Sequence, residues 1–126
     1  MGVLLNAPIC EAPPVVSLSV TPTSLWPPNG RMVPVTASGQ ISDTDTTCTI
    51  RAAAFTVKDE YGEVQPRGSV TLGAGGAYTF TIWLQASRLG TDLNGRLYTI
   101  TVSASNNAGK TGSQTDAVIV PHDQGK

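Results

Sequence analysis

The stretch that decides the fold is Gly95–Gln124, GRLYTITVSASNNAGKTGSQTDAVIVPHDQ. From Leu97 the residues alternate, with Tyr98, Ile100, Val102 and Ala104 on one side and Leu97, Thr99, Thr101 and Ser103 on the other. A period of two belongs to a strand with one face buried and one in water. Asn106, Asn107 and Gly109 tolerate the left-handed backbone of a hairpin connection. The chain returns through Thr111–Val120 until Pro121, which cannot extend a ladder. This is the last hairpin of a β-sandwich.

The same rule holds upstream. Ala77–Gln85 sets Tyr78, Phe80, Ile82 and Leu84 against Thr79, Thr81, Trp83 and Gln85, the most decisive strand in the chain. Val16, Leu18 and Val20 alternate with Ser17, Ser19 and Thr21, and Pro22 closes that strand. Pro27-Pro28-Asn29-Gly30 is a turn. Met32–Ile41 follows with Val33, Val35, Ala37 and Ile41 inward, and Pro34 on the other phase implies an edge or a bulge. Cys48–Lys58 has an ambiguous phase, because Ile50, Ala52 and Ala54 compete with Ala53, Phe55 and Val57. Its propensity also allows a helix, but its short length and β-branched second half favour a strand. A short strand is expected at Ser69–Leu72, then a flexible GAGG turn. About seven strands with no helical crossover predict an all-β, antiparallel sandwich with Greek-key connections. Tyr98, near the start of the penultimate strand, suits a tyrosine corner, with a buried ring and a hydroxyl bonded to upstream backbone. No intersheet cysteine pair flanks a tryptophan, so the domain is not of the antibody type.

Composition bounds the function. The 126 residues suit one domain: 1–12 as a lead-in or linker, 13–124 as the sandwich, 125–126 as a tail. Eight Lys and Arg stand against nine Asp and Glu, a net charge of −1 that gives no footprint for nucleic acid or anionic lipid. No apolar run approaches the ~18 residues of a membrane-spanning helix. The start, MGVLLNAPI, lacks a positive region and a long enough apolar core for a signal peptide, so the natural protein is expected to be longer.

Cys10 and Cys48 are 38 positions apart, which matches neither a zinc nor a redox motif. They are either idle thiols or a disulfide that ties the lead-in to the sandwich. An even count in a Thr/Ser-rich β-domain favours the disulfide and an oxidising compartment.

Three segments carry a family resemblance: LWPPNGRMVPV (25–35), NGRLYTITVSASNNAGKTG (94–112) and VIVPHDQ (118–124). They resemble an immunoglobulin-like module of secreted bacterial proteins, related to the hyalin-repeat and fibronectin type III class. The resemblance implies a seven-stranded immunoglobulin-like sandwich, placed in series or at the end of a large exported protein as a spacer or adhesion element. Where such modules often carry Asp-Asn-Cys, this chain has Ser42-Asp43-Thr44-Asp45, with Cys48 later. Where they often carry Asp-x-x-Gly-Asn, it has Asn106-Asn107-Ala108-Gly109-Lys110. With both departures no ion site carries over from the resemblance, and no cofactor is expected.

Trp83 points by phase onto the Thr79 and Thr81 face, where an indole can stack a sugar ring or anchor a partner. The plainer expectation is that a loop such as LWPPNG covers it. Trp26, rigidified by Pro27 and Pro28, is expected to plug the sandwich end, and otherwise to join Trp83 and Tyr61 in a binding surface. Asp43 and Asp45, with Asp59 and Glu60 elsewhere, could offer oxygens to calcium but are too few for a site, and read as solvated loop acids. His122 has no nucleophile motif near it and Lys58 no distinguishing neighbourhood, so the chain reads as non-catalytic. No asparagine lies in an N-x-Ser/Thr sequon. The expected partners are neighbouring domains of the same exported protein, with a polysaccharide or a surface protein as the alternative. The domain itself is expected to be extracellular and monomeric.

Overall fold

A computed structural model describes residues 10–123. Residues 1–9 of the expected lead-in at 1–12, and the tail at 125–126, lie outside that range. Among the described residues the strands are β1 (Val15–Val16), β2 (Ser19–Thr21), β3 (Met32–Ser42), β4 (Ile50–Asp59), β5 (Arg67–Ser69), β6 (Ala77–Gln85), β7 (Arg96–Asn106) and β8 (Thr111–Val120). A 3-10 turn, Ala74–Gly76, precedes β6. The fold is all-β, with antiparallel pairing throughout the ladders. β3 carries β1 and β2 end to end along one edge and β6 along the other, while the second sheet runs β5-β4-β7-β8.

The count is eight, because the expected first strand is broken at Ser17–Leu18. There the Ser17 carbonyl turns to accept the Tyr78 hydroxyl at 2.6 Å. It passes so close to Gly39 that a Cβ at that position would lie 2.1 Å from the oxygen. Only glycine fits beneath the break. The short strand also shifts, to Arg67–Ser69, since Val70 dives into the core.

β4 resolves its own ambiguity. The register slips between Ile50 and Ala52, so Ile50 shares the inner face with Ala53, Phe55 and Val57. A bulge shifts the phase: beyond it Ala53, Phe55 and Val57 face inward while Ala52 and Ala54 are exposed, so the second of the two sequence periods is the one used. Pro34 lies beyond Thr36, where the β2 pairing stops and β3 has only β6 beside it. β6 and β7 follow the alternation read from sequence, with Ile82, Leu84, Tyr98, Ile100 and Val102 buried, and β8 buries Val118 and Val120.

Two hydrophobic clusters stack along the sandwich. Val35, Leu84, Ile100 and Val120 belong to one, Val16, Ile41, Tyr78 and Val102 to the other. Phe55 and Phe80 stack at 4.4 Å between centroids and pack against both. After β2 the chain crosses to the second sheet, where Ser24 bridges Ile119 in parallel. Leu25, 1% exposed, fills the sandwich end there. Leu25 takes the plugging role expected of Trp26, which is 41% exposed.

The connections gather into two poles. Residues 10–12, the 43–49 connection and the β7–β8 turn meet at one, through Cys10–Cys48 and the Asn106 and Asn107 bonds. The 86–95 connection, the turn after β4 and residues 121–123 meet at the other, through Arg88 to the His122 carbonyl and Tyr61 to Leu89 and Asp92.

Candidate functional site

At the second pole the chain buries a charge that sequence reading missed. Asp59 ends β4 at 2% exposure and Arg96 opens β7 at 0%. Their side chains form a two-pronged ion pair: Arg96 Nε donates to Asp59 Oδ1 at 2.9 Å and Nη2 to Oδ2. The guanidinium lies 4.6 Å from the Tyr61 ring centroid and 4.9 Å from that of Tyr98. Two aromatic faces thus line a desolvated cation. Arg96 Nη1 also donates to the Ser87 carbonyl and hydroxyl.

Asp59 is equally engaged. It accepts the backbone N–H groups of Tyr61, Glu63 and Val64, folding the turn around its carboxylate. Burial opposes the charge, but the Arg96 guanidinium and these three donors outweigh it and hold the carboxyl at about 2. The expectation of a solvated Asp59 is corrected. A lone aspartate at a strand end carries no local mark of its partner, 37 positions away.

Tyr98 seals the same region. Its hydroxyl donates to the Gln85 carbonyl at 2.7 Å and accepts the Gln85 N–H at 3.1 Å, tying β7 to β6 across the sheets. Burial raises its hydroxyl to about 12. Tyr61 is likewise used internally: its hydroxyl donates to Asp92 and accepts from Leu89 N–H, and one ring face meets Arg96. His122 places Nε2 3.2 Å from the Gly90 carbonyl, a local contact.

At the first pole Cys10 and Cys48 form a disulfide. Asn106, 2% exposed, organises the surroundings. Its Nδ2 donates to the Ala12 carbonyl at 2.7 Å and to Asp43 Oδ2 at 3.0 Å, and its Oδ1 accepts Ala108 N–H and Lys110 N–H. Asp43 is half-buried, not solvated, and its Oδ1 is buried with no hydrogen-bond partner. Asp45 instead caps its own turn, accepting from Thr47 N–H and hydroxyl, and the hydroxyl lowers its carboxyl. Asp43 and Asp45 therefore serve different local tasks.

The aromatics distribute differently from expectation. Trp83 is 54% exposed on the outer face of β6, uncovered by the LWPPNG loop. Its cross-strand neighbour is Pro34, and exposed Met32 lies diagonal to it, opposite Gln85. Trp26 is exposed in the connection before β3, where Pro27 is exposed and Pro28 half-buried. Tyr61 belongs to the Arg96 cluster and not to the Trp83 face.

The architecture defines a β-sandwich with one locked pole and one disulfide-fastened pole. No protein-family profile matches the chain, and no curated protein matches it. Among solved structures it is similar to Spo0M, the sporulation control protein of Bacillus subtilis, with TM-score 0.47 and 13% identity. That match covers 89% of this chain and 50% of Spo0M, so the chain spans half the length of that protein. No helix among the described residues is long and apolar enough to cross a membrane.

Proposed function

We propose that the chain is a non-catalytic, immunoglobulin-like module of an exported protein, and that it spaces or presents neighbouring domains. One observation carries this reading: Cys10, the first described residue, lies beside Cys48 at one pole, and Pro121 follows β8 at the opposite pole. Modules linked at opposite poles extend an array; modules linked at one pole would fold it back. β8 alone, ten residues long, spans roughly 33 Å between the poles. Counting β1 and β2 as halves of one strand gives seven, and the chain crosses between sheets after β3, after β5 and after β6, which supports the Greek-key assignment. The disulfide is compatible with an oxidising, extracellular setting. The three resembling segments support the same class.

Single-molecule stretching of a tandem array tests the reading. Discrete unfolding steps are expected. The 38-residue separation of the cysteines hides about 130 Å of contour at ~3.5 Å per residue, so each step lengthens by that amount on reduction. An array that extends smoothly at the lowest forces would rule out a load-bearing spacer.

A second reading has its own support: both indoles are exposed, and Trp83 sits beside Pro34 on an open sheet face. An exposed tryptophan on a flat face suits a sugar ring or a surface protein. Tryptophan fluorescence titrated with soluble polysaccharides is the check. Trp83→Ala is expected to shift folding stability by no more than about 0.5 kcal/mol, as at other exposed positions, and to abolish any saturable response. Emission that no glycan perturbs leaves the spacer alone.

A further inference from the structure

We propose that, once its disulfide is reduced, the first pole becomes a three-ligand site for Zn2+ made by Cys10, Cys48 and Asp43. Disulfide and metal are then alternative fasteners of the same two segments. The inference is independent of the spacer role.

The donor atoms are already assembled. Cys10 Sγ, Cys48 Sγ and an Asp43 oxygen all lie within 4.8 Å of one another. The pairing of the sulfurs leaves Asp43 Oδ1 buried and without a partner, although its other oxygen is held by Asn106 Nδ2 at 3.0 Å. A buried carboxylate oxygen with no donor is costly, and a cation beside it removes the cost. Asn106 also lies 3.7 Å from Cys48 Sγ, where its amide can donate to a thiolate. It is itself fixed by the hairpin N–H groups of Ala108 and Lys110. The site thus has orienting support of the kind metal ligands use.

The chemistry balances with a dithiol reductant. The dithiol gives two electrons and two protons to the Cys10–Cys48 bond, the S–S bond breaks, and the reductant leaves as its own disulfide. Zn2+ then displaces the two thiol protons and binds both thiolates and Asp43 Oδ1, with water in the fourth position. Tetrahedral zinc, with Zn–S near 2.3 Å, places two sulfurs about 3.8 Å apart, so the cysteines must separate. Cys10 is the movable partner, because the Cys48 N–H is held by the Asp45 carbonyl at 3.0 Å within its own turn. Two thiolates select zinc over calcium or magnesium, which prefer oxygen.

The test uses the full chain, reduced without oxygen, with Co2+ as the spectroscopic probe and Zn2+ as competitor. One Co2+ per chain with strong thiolate-to-metal charge-transfer absorption, displaced by Zn2+, is expected. The oxidised protein should bind neither, and Asp43→Asn should weaken Zn2+ binding at least tenfold. Zn2+ should also raise the melting temperature of the reduced chain. The proposal is overturned if reduced Cys10→Ser binds as tightly as the reduced parent chain, or if Asp43→Asn leaves affinity unchanged. It is equally overturned if the reduced chain, folded or unfolded, gives no charge-transfer band and no Zn2+-dependent change in its melt.

Discussion

Replacing Asp59 by alanine is expected to cost about 3–5 kcal/mol of folding stability, the scale for removing one partner of a buried ion pair. The reason is what remains. Arg96 would stay fully buried between Tyr61 and Tyr98 with its counterion gone, and three backbone N–H groups would lose their acceptor. Glu63 cannot substitute, since it reaches Arg96 only at 3.5 Å and its side chain is 67% exposed. Urea unfolding of the variant is the measurement, and a loss below about 1 kcal/mol would show that the pair does not hold the pole together. Replacing both charges, Asp59→Leu with Arg96→Met, is expected to cost less than Asp59→Ala alone, because no buried charge is then left unpaired.

The same pair sets an acid limit. The folded carboxyl titrates at about 2 against an ordinary 3.8, so its folded-state value is depressed. The resulting stabilisation, about 2 kcal/mol, is present above about pH 4 and lost as pH falls towards about 2, where the folded carboxylate protonates. Asp59→Asn should flatten stability across that window while the parent chain declines.

The second large effect acts through the unfolded chain. Cys10→Ser with Cys48→Ser is expected to cost about 4 kcal/mol, the loop-closure entropy of a 38-residue crosslink. Parent protein treated with a dithiol in metal-free buffer should lose the same amount, while the double-serine variant should not respond. An intact mass unchanged by reduction would end the crosslink. The two losses differ in kind: one leaves a buried charge in the folded state, the other frees the unfolded one. They lie at opposite poles and should add.

Much of the fold is legible locally. Ala77–Gln85 and Leu97–Ala104 bury the faces their alternation assigns, because a strand with one wet face must alternate. The ambiguous phase of β4 reflects a bulge, which lets Ile50 join the inward set Ala53, Phe55 and Val57. The break between β1 and β2 had no such mark. It depends on the Ser17 carbonyl meeting Gly39 and Tyr78, from strands distant in sequence.

The functional residues divide along the same line. Composition and cysteine parity pointed to an oxidising compartment, and strand phase placed Trp83 on the outer face, because both follow from properties of single residues or of a short window. Whether Trp83 is covered, whether Leu25 or Trp26 fills the sandwich end, and whether Asp59 is solvated were decided by the tertiary structure. Each depends on which side chain arrives from another strand. Arg96 is the plainest case: its sequence neighbours suggest a polar start to a strand, and only the packing of β4 against β7 makes it the buried partner of Asp59.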